Sequence, residues 1–307
     1  MIHHIPVLMD EVIELLDVNP EGIYMDCTIG FGGHSELILD KLNSKGQLIG
    51  LDLDPYALEK TKRKLNHHNK NISLHNCCYS VFPQILEKMG IEKVDGFLFD
   101  LGISSYQIDS THRGFSYMKD ADLDMRFNNY DKNTATAKDI INSISENDLS
   151  NALKIYGDIN QPWKIAKSIV DYRKKKIIET TFDLKEAICN AISYENYQKL
   201  SQVFQVIRIL VNNEIENFKK TLQSTIDYLS VGGKIAVITF HSIEDRIIKH
   251  FFKDKVIYQN YSYNIECSYP QIEFKILTKK PIVESHINRK KNSRSRSAKL
   301  RVAERIK

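Results

Sequence analysis

Apolar and polar positions change period repeatedly over the first hundred residues, and each change marks a new element. Between Pro6 and Leu16 the apolar residues Leu8, Val12, Leu15 and Leu16 recur at helical spacing after an irregular start. Gly22-Ile23-Tyr24-Met25-Asp26 reads as a short buried strand, followed by a glycine-rich turn and a helix over Ser35 to Leu42. Gly46 to Asp52 predicts the next strand. Pro55 to Leu65 predicts the next helix, with Pro55 in the first turn, where a missing N–H costs nothing. Ile72 to Cys78 and Val94 to Asp100 predict two further strands, with a helix over Val81 to Lys88 between them. Strands alternating with helices at this spacing predict a mostly parallel sheet covered on both faces, an α/β fold.

The alternation then stops. Ser105 to Lys132, rich in Asp, Ser, Asn and Gly, predicts irregular chain. Helical stripes follow: Leu149, Ala152, Leu153 and Tyr156 after the capping-box pattern Ser145-x-x-Asp148; Ile165, Ala166, Ile169 and Val170 after Pro162; and Leu184, Ala187, Ile188, Ala191 and Ile192. One long helical pattern runs from Leu200 through Leu229. Strand character returns at Lys234 to Phe240, and again at Phe274 to Leu277 and Leu300 to Val302. The expected organisation is an α/β domain, residues 1–107 and 208–307, interrupted by a helical insertion over 108–207.

Composition narrows the class. No uncharged apolar run approaches the ~20 residues of a membrane helix, and the amino terminus lacks the features of a secretory signal, so no membrane partner is expected. Cys27, Cys77, Cys78, Cys189 and Cys267 form no Cys-x-x-Cys pair, which predicts reduced thiols and a cytoplasmic chain. His3-His4 and His67-His68 have no partner pattern, so no metal is expected, and nothing in the sequence signals an oligomeric state. The formal net charge of +4 is mild, yet from Asn288 to Lys307 nine residues are Lys or Arg and only Glu304 is acidic. That basic tail is either a solvated segment or a phosphate-binding one.

Three segments carry candidate chemistry. Asp26-Cys27-Thr28-Ile29-Gly30-Phe31-Gly32-Gly33-His34 follows the first strand, where glycines let backbone approach a ligand closely. Asp52 ends the next strand, placed to accept hydrogen bonds from both ribose hydroxyls of a nucleoside. Together they indicate an adenosine-containing cofactor without separating S-adenosylmethionine from NAD, although the glycine spacing is not Gly-x-Gly-x-x-Gly. Asp100 closes the apolar run Phe97-Leu98-Phe99 at the carboxyl end of the fourth strand. It either orients an accepting nitrogen or caps the following loop. In Phe240-His241-Ser242-Ile243-Glu244-Asp245-Arg246, Ser242-x-x-Asp245 fits a capping box, and His241 is a substrate contact or a structural histidine.

With these segments in hand, the chain closely resembles the RsmH (MraW) family of ribosomal RNA small-subunit methyltransferases, nearly end to end. The resemblance includes His4-Ile5-Pro6-Val7-Leu8, the glycine-rich segment through Ser35, Asp100-Leu101-Gly102-Ile103-Ser104-Ser105, Arg113-Gly114-Phe115-Ser116 and Leu123-Asp124-Met125-Arg126. It continues through Phe204-Gln205-Val206-Ile207-Arg208-Ile209, Phe240 to Arg246, and Arg296-Ser297-Ala298-Lys299-Leu300-Arg301. The resemblance implies a Rossmann-like class I S-adenosylmethionine-dependent methyltransferase with a helical insertion for substrate recognition. It also implies methylation of a cytidine N4 in 16S rRNA of the small ribosomal subunit, near the P site. Carried onto this chain, its cofactor contacts fall on Gly32, Gly33, His34, Asp52, Tyr79, Asp100 and Gln107.

Two departures stand out: Tyr79 where relatives often carry Phe, and Ser201-Gln202-Val203 where Thr-Arg-Thr is common, which puts a local RNA contact in doubt. On this reading Asp100 accepts a hydrogen bond from the cofactor's amino group or from N4–H. Arg113, Arg126, Phe115, Tyr117 and His241 are candidates to hold the extruded base, and Arg294, Arg296, Lys299 and Arg301 to contact phosphates. The competing classes are a methyltransferase of the same fold with another substrate, a non-catalytic RNA-binding assembly factor, and a nicotinamide oxidoreductase.

Overall fold

A computed structural model describes residues 6–68, 71–192, 196–254 and 274–307. His3, His4 and Cys267 lie outside the described residues. The chain divides into two compact units, Met1–Gly102 with Asn217–Lys307, and Ile103–Glu216.

The first unit is built on seven strands: β1 (Ile23–Asp26), β2 (Gln47–Asp52), β3 (Asn71–Asn76), β4 (Val94–Asp100), β5 (Leu229–Thr239), β6 (Phe274–Ile276) and β7 (Lys299–Arg305). They lie in the order β3-β2-β1-β4-β5-β7-β6. β1 to β5 pair in parallel, while β7 runs antiparallel to both β5 and β6. This is the Rossmann-like α/β class expected from the alternating pattern. The period of two along each strand divides the apolar residues cleanly between the faces. Met25, Phe97, Phe99, Ile235 and Val237 join one core cluster, and Tyr24, Leu98, Ala236 and Ile238 join the other. The first face is covered by α4 (Phe82–Met89), α11 (Glu214–Tyr228) and α12 (Ser242–Asp254), through Phe82, Phe218 and Phe252. The opposite face is covered by α1 (Met9–Leu16), α2 (Gly33–Lys41) and α3 (Pro55–Leu65), through Val12, Ile38 and Leu58. A short α13 (His286–Lys291) precedes β7. The basic carboxyl-terminal segment is therefore not a free tail, because seven of its residues form a strand inside the sheet.

The second unit packs α6 (Ala137–Ser143), α7 (Glu146–Gly157), α8 (Pro162–Arg173), α9 (Thr181–Cys189) and α10 (Tyr197–Asn212) around Ile141, Leu149, Leu153, Ile165, Ile169, Leu184, Ile188, Val203 and Ile207. Ser145 caps α7 by accepting from Asp148 N at 3.1 Å, as its sequence pattern indicates. Two expectations need correction. The stretch expected to be irregular from Ser105 contains the short α5 (Ser105–Asp109), closed by a Ser104/Gln107 capping box. The single long helix expected from Leu200 to Leu229 is two helices, because Asn213 adopts φ 50° between α10 and α11. Asparagine tolerates that left-handed geometry, whereas the apolar stripe on either side gives no warning of the break. By its internal contacts this second unit comprises Ile103–Glu216.

Among the described residues, no helix is long and apolar enough to cross a membrane. Cys27, Cys77, Cys78 and Cys189 are free thiols.

Candidate active site

Parallel strands place the last residue of each at one edge of the sheet, and here three of those residues are aspartates: Asp26 on β1, Asp52 on β2 and Asp100 on β4. The strand order reverses between β1 and β4, the point at which open α/β sheets receive ligands. The β1–α2 turn opens beside it. Gly30 and Gly32 take φ of 51° and 70°, left-handed geometry that a side chain would strain. Gly32 also serves as the N-cap of α2 without offering a side-chain oxygen to the first N–H groups.

Asp52 is fixed from both sides. Its Oδ2 accepts from Gly30 N and its Oδ1 from Asp54 N, each at 2.8 Å. Burial pushes its carboxyl up to about 6, against the backbone N–H groups that pull it down. Asp54 caps α3 through Tyr56 N, so the two acids of Leu51-Asp52-Leu53-Asp54 divide the work between ligand edge and helix start. Tyr79, in a single turn before α4, meets Phe99 edge to face at 5.9 Å between ring centroids.

Asp26, His34 and Asp100 form a second group. Asp26 is buried and accepts from Ser35 Oγ at 2.7 Å and Thr28 N at 3.1 Å, with burial raising its carboxyl. His34 Nε2 lies 2.9 Å from the carbonyl oxygen of Val7, which can only accept, so Nε2 carries the proton and Nδ1 is bare. That bare nitrogen lies 3.7 Å from Asp100 Oδ2, and burial holds the imidazole below its usual range. Burial, then the charge of Glu244, pushes Asp100 up to about 7. Asp100 Oδ1 is buried and has no hydrogen-bond partner among the described residues. An orphaned carboxylate oxygen beside other buried acids is built to receive a cation. It is poorly built to receive a pyrophosphate.

The end of β5 differs from the sequence expectation. α12 starts at Ser242, so the capping position is His241 and its reciprocal partner is Glu244, one residue earlier than the Ser242/Asp245 box. His241 Nδ1 accepts from Glu244 N, and Glu244 Oε2 accepts from His241 N, both at 3.4 Å. Asp245 instead reaches β7, where Arg301 Nε lies at 2.6 Å and Lys299 Nζ at 3.1 Å. Burial raises the Asp245 carboxyl, but these two hydrogen bonds outweigh it and hold the group below the usual range. Lys299 and Arg301, expected on phosphates, are thus paired with Asp245 of α12. Arg296 stays exposed, and the side chain of Arg294 lies outside the described part.

The sequence model of the MraW methylase family matches residues 1–306. The chain belongs to the MraW methylase family. Relatives of full length agree with that membership. "Ribosomal RNA small subunit methyltransferase H" of Caldicellulosiruptor bescii is 43% identical, with all of both chains covered. The protein of the same name from Clostridium botulinum is 44% identical, with 99% of each covered. Among solved structures, an rRNA methylase from Streptococcus thermophilus superposes with a TM-score of 0.44 at 12% identity, over 97% of this chain and 94% of that one. MraW methylases are S-adenosylmethionine-dependent methyltransferases, which resolves the choice between that cofactor and NAD left open by the glycine turn.

The remaining site residues expected from the MraW resemblance fall in the second unit. Gln107 is buried and occupied in the cap of α5, its Oε1 accepting from Ser104 N at 3.0 Å. Arg113 is 2% exposed and donates from Nη2 to the carbonyls of Arg126 and Phe127. Arg126 forks onto Asp124, with Nε to Oδ1 at 2.9 Å and Nη2 to Oδ2 at 2.7 Å. Both arginines hold the loop before α6 in shape. Gln202, where relatives often carry Arg, donates to Gly157 O at 3.0 Å inside the same unit. Sequence reasoning missed the buried pair Arg208–Glu214, at 2.8 Å, because its halves sit on either side of the unforeseen break at Asn213. It also missed Glu36, which brings a carboxylate oxygen within 4.8 Å of nitrogens of His67 and His68, from 31 residues away in the chain. Glu36 is already paired with Lys64 Nζ at 2.7 Å.

Proposed function

We propose that this chain transfers the methyl group of S-adenosylmethionine to the N4 amino group of a cytidine in 16S rRNA of the small ribosomal subunit, near the P site. The observation that carries the reading is Asp100: an orphaned, largely buried carboxylate at the strand-order reversal, in a chain of methylase family. The relatives' names supply the RNA, and the resemblance of the motifs supplies N4.

Asp52 would hold the ribose hydroxyls, the Gly32-Gly33-His34 turn the amino-acid end, and the Tyr79 ring the adenine. Bound there, S-adenosylmethionine supplies a methyl group already activated on a sulfonium, so the chain need not polarise it. The residues' work lies with the nucleophile, because the N4 lone pair is delocalised into the cytosine ring. Reaction needs N4 held at a near-attack separation of about 3–3.5 Å from the methyl carbon. Asp100, ionised, would accept a hydrogen bond from N4–H or from the cofactor's ammonium through its unpartnered Oδ1. With His34 Nδ1 bare beside it, a proton that reaches Asp100 has a second acceptor nearby. Loss of the N4 proton follows attack, so no strong base is required. His241 is the first unit's candidate to touch the base, which must leave its stack at a cost of about a few kcal/mol if paired. The second unit is assigned to substrate recognition.

Purified protein incubated with methyl-labelled S-adenosylmethionine and unmethylated small subunits tests the reading. Nucleoside mass spectrometry should find label as N4-methylcytidine. Label on another atom, or on protein, would reassign the substrate.

A further inference from the structure

Glu244 is 3% exposed, so its carboxylate is turned away from solvent. Its Oε2 accepts from Phe240 N at 2.9 Å and His241 N at 3.4 Å, while its Oε1 lies 3.0 Å from His241 Nε2. That His241 nitrogen is itself buried without an aligned hydrogen-bond partner. The residues it anchors, Phe240 and His241, come two and three positions after Ile238, the register partner of Asp100. Leu101 N donates to Ile238 O at 3.0 Å, which locks the two strand ends together. A neutral glutamine would accept the same two backbone N–H groups, so capping does not require the charge. A second buried carboxylate whose charge acts on Asp100 is the local conflict expected where a ligand cation completes a site.

We propose that Glu244 is a positioning residue for methyl transfer: its buried carboxylate fixes the turn from β5 into α12 together with the His241 ring, at the strand end beside Asp100. The inference rests on the functional reading above. Four titratable groups surround this point: His34 from α2, with Nδ1 3.7 Å from Asp100; Asp26 from β1; and His241 and Glu244 from the β5–α12 turn. Removing the Glu244 charge lets Asp100 ionise at lower pH, since the glutamate raises it.

The test compares full-length wild type, Glu244→Gln and Glu244→Asp for melting temperature, S-adenosylmethionine affinity, and methylation rate of small subunits across pH. Glu244→Gln should melt and bind cofactor as wild type does. Its kcat should fall about tenfold, and the acidic limb of its rate profile should move about one pH unit lower. Glu244→Asp, which keeps the charge, should keep the limb in place. A Glu244→Gln protein whose melting temperature drops while its limb stays put would overturn the proposal and leave only a helix cap. Should Glu244→Gln not fold, the aspartate variant decides alone: an unmoved limb with reduced kcat supports the role, and a displaced limb refutes it. Wild type that leaves cytidine N4 unmodified would instead sink the functional reading, and is seen before any variant is compared.

Discussion

Asp100 shows how a single residue sets stability against function. Burial, then the charge of Glu244, pushes its folded carboxyl up to about 7, against about 4 for an unfolded aspartate. The folded form therefore holds its proton more tightly. The stability this contributes is present below about pH 4 and is lost as pH rises through 7. Asp100→Asn should be flat over that range, so its melting temperature should exceed that of ligand-free wild type by about 10 °C at pH 8 and match it at pH 4. Methylation should fall on the order of 10²-fold in the same variant. Equal melting temperatures at both pH values would show that the carboxyl is not destabilised. Arg208 presents the opposite case. Its guanidinium and Glu214 are both buried, so Arg208→Ala strands a charge and should cost about 3–5 kcal/mol in urea denaturation.

At the level of elements, the β1–α2 turn is the most exacting. A methyl group on Gly32 would sit at φ 70° and 2.9 Å from Thr61 Cγ2. Gly32→Ala should destabilise the first unit by about 1 kcal/mol or more and weaken cofactor binding by calorimetry. Unchanged affinity would place the cofactor elsewhere. This turn and the strand ends were legible in the sequence, because parallel strands buried on both faces read as apolar runs that stop at a polar residue. The pattern over Val94 to Asp100 matches β4 to the residue for that reason, and that over Pro55 to Leu65 matches α3 because Pro55 fits the first turn of a helix. Elsewhere the pattern was silent or misleading. The apolar stripe crosses Asn213 without interruption, and only backbone geometry shows the break. Ser242-x-x-Asp245 satisfied a capping template one residue out of register with the cap that forms. Arg113 looked available to RNA because its acceptors are main-chain carbonyls 13 and 14 residues away, which no side-chain pattern announces.

For the molecule as a whole, the mild positive charge is distributed less freely than the sequence suggests. Lys299 and Arg301 share one counter-charge, Asp245, and Arg305 donates to the Ile226 and Leu229 carbonyls. Exposed Lys290 and Arg296 remain as candidates for phosphate contact. If each meets one phosphate, Arg296→Ala should lower the salt slope of RNA binding by about 0.7–0.9, whereas Arg301→Ala should act mainly on stability. A slope unchanged by Arg296→Ala would remove this segment from the RNA interface. A Rossmann-like sheet, three acids at one edge and membership of a methylase family point to one reaction. Its most direct test is mass spectrometry of small-subunit RNA nucleosides from cells with and without the gene. The account predicts that N4-methylation disappears from one cytidine when the gene is absent and returns with the wild-type chain. Retention of that methyl group in cells without the gene would contradict it.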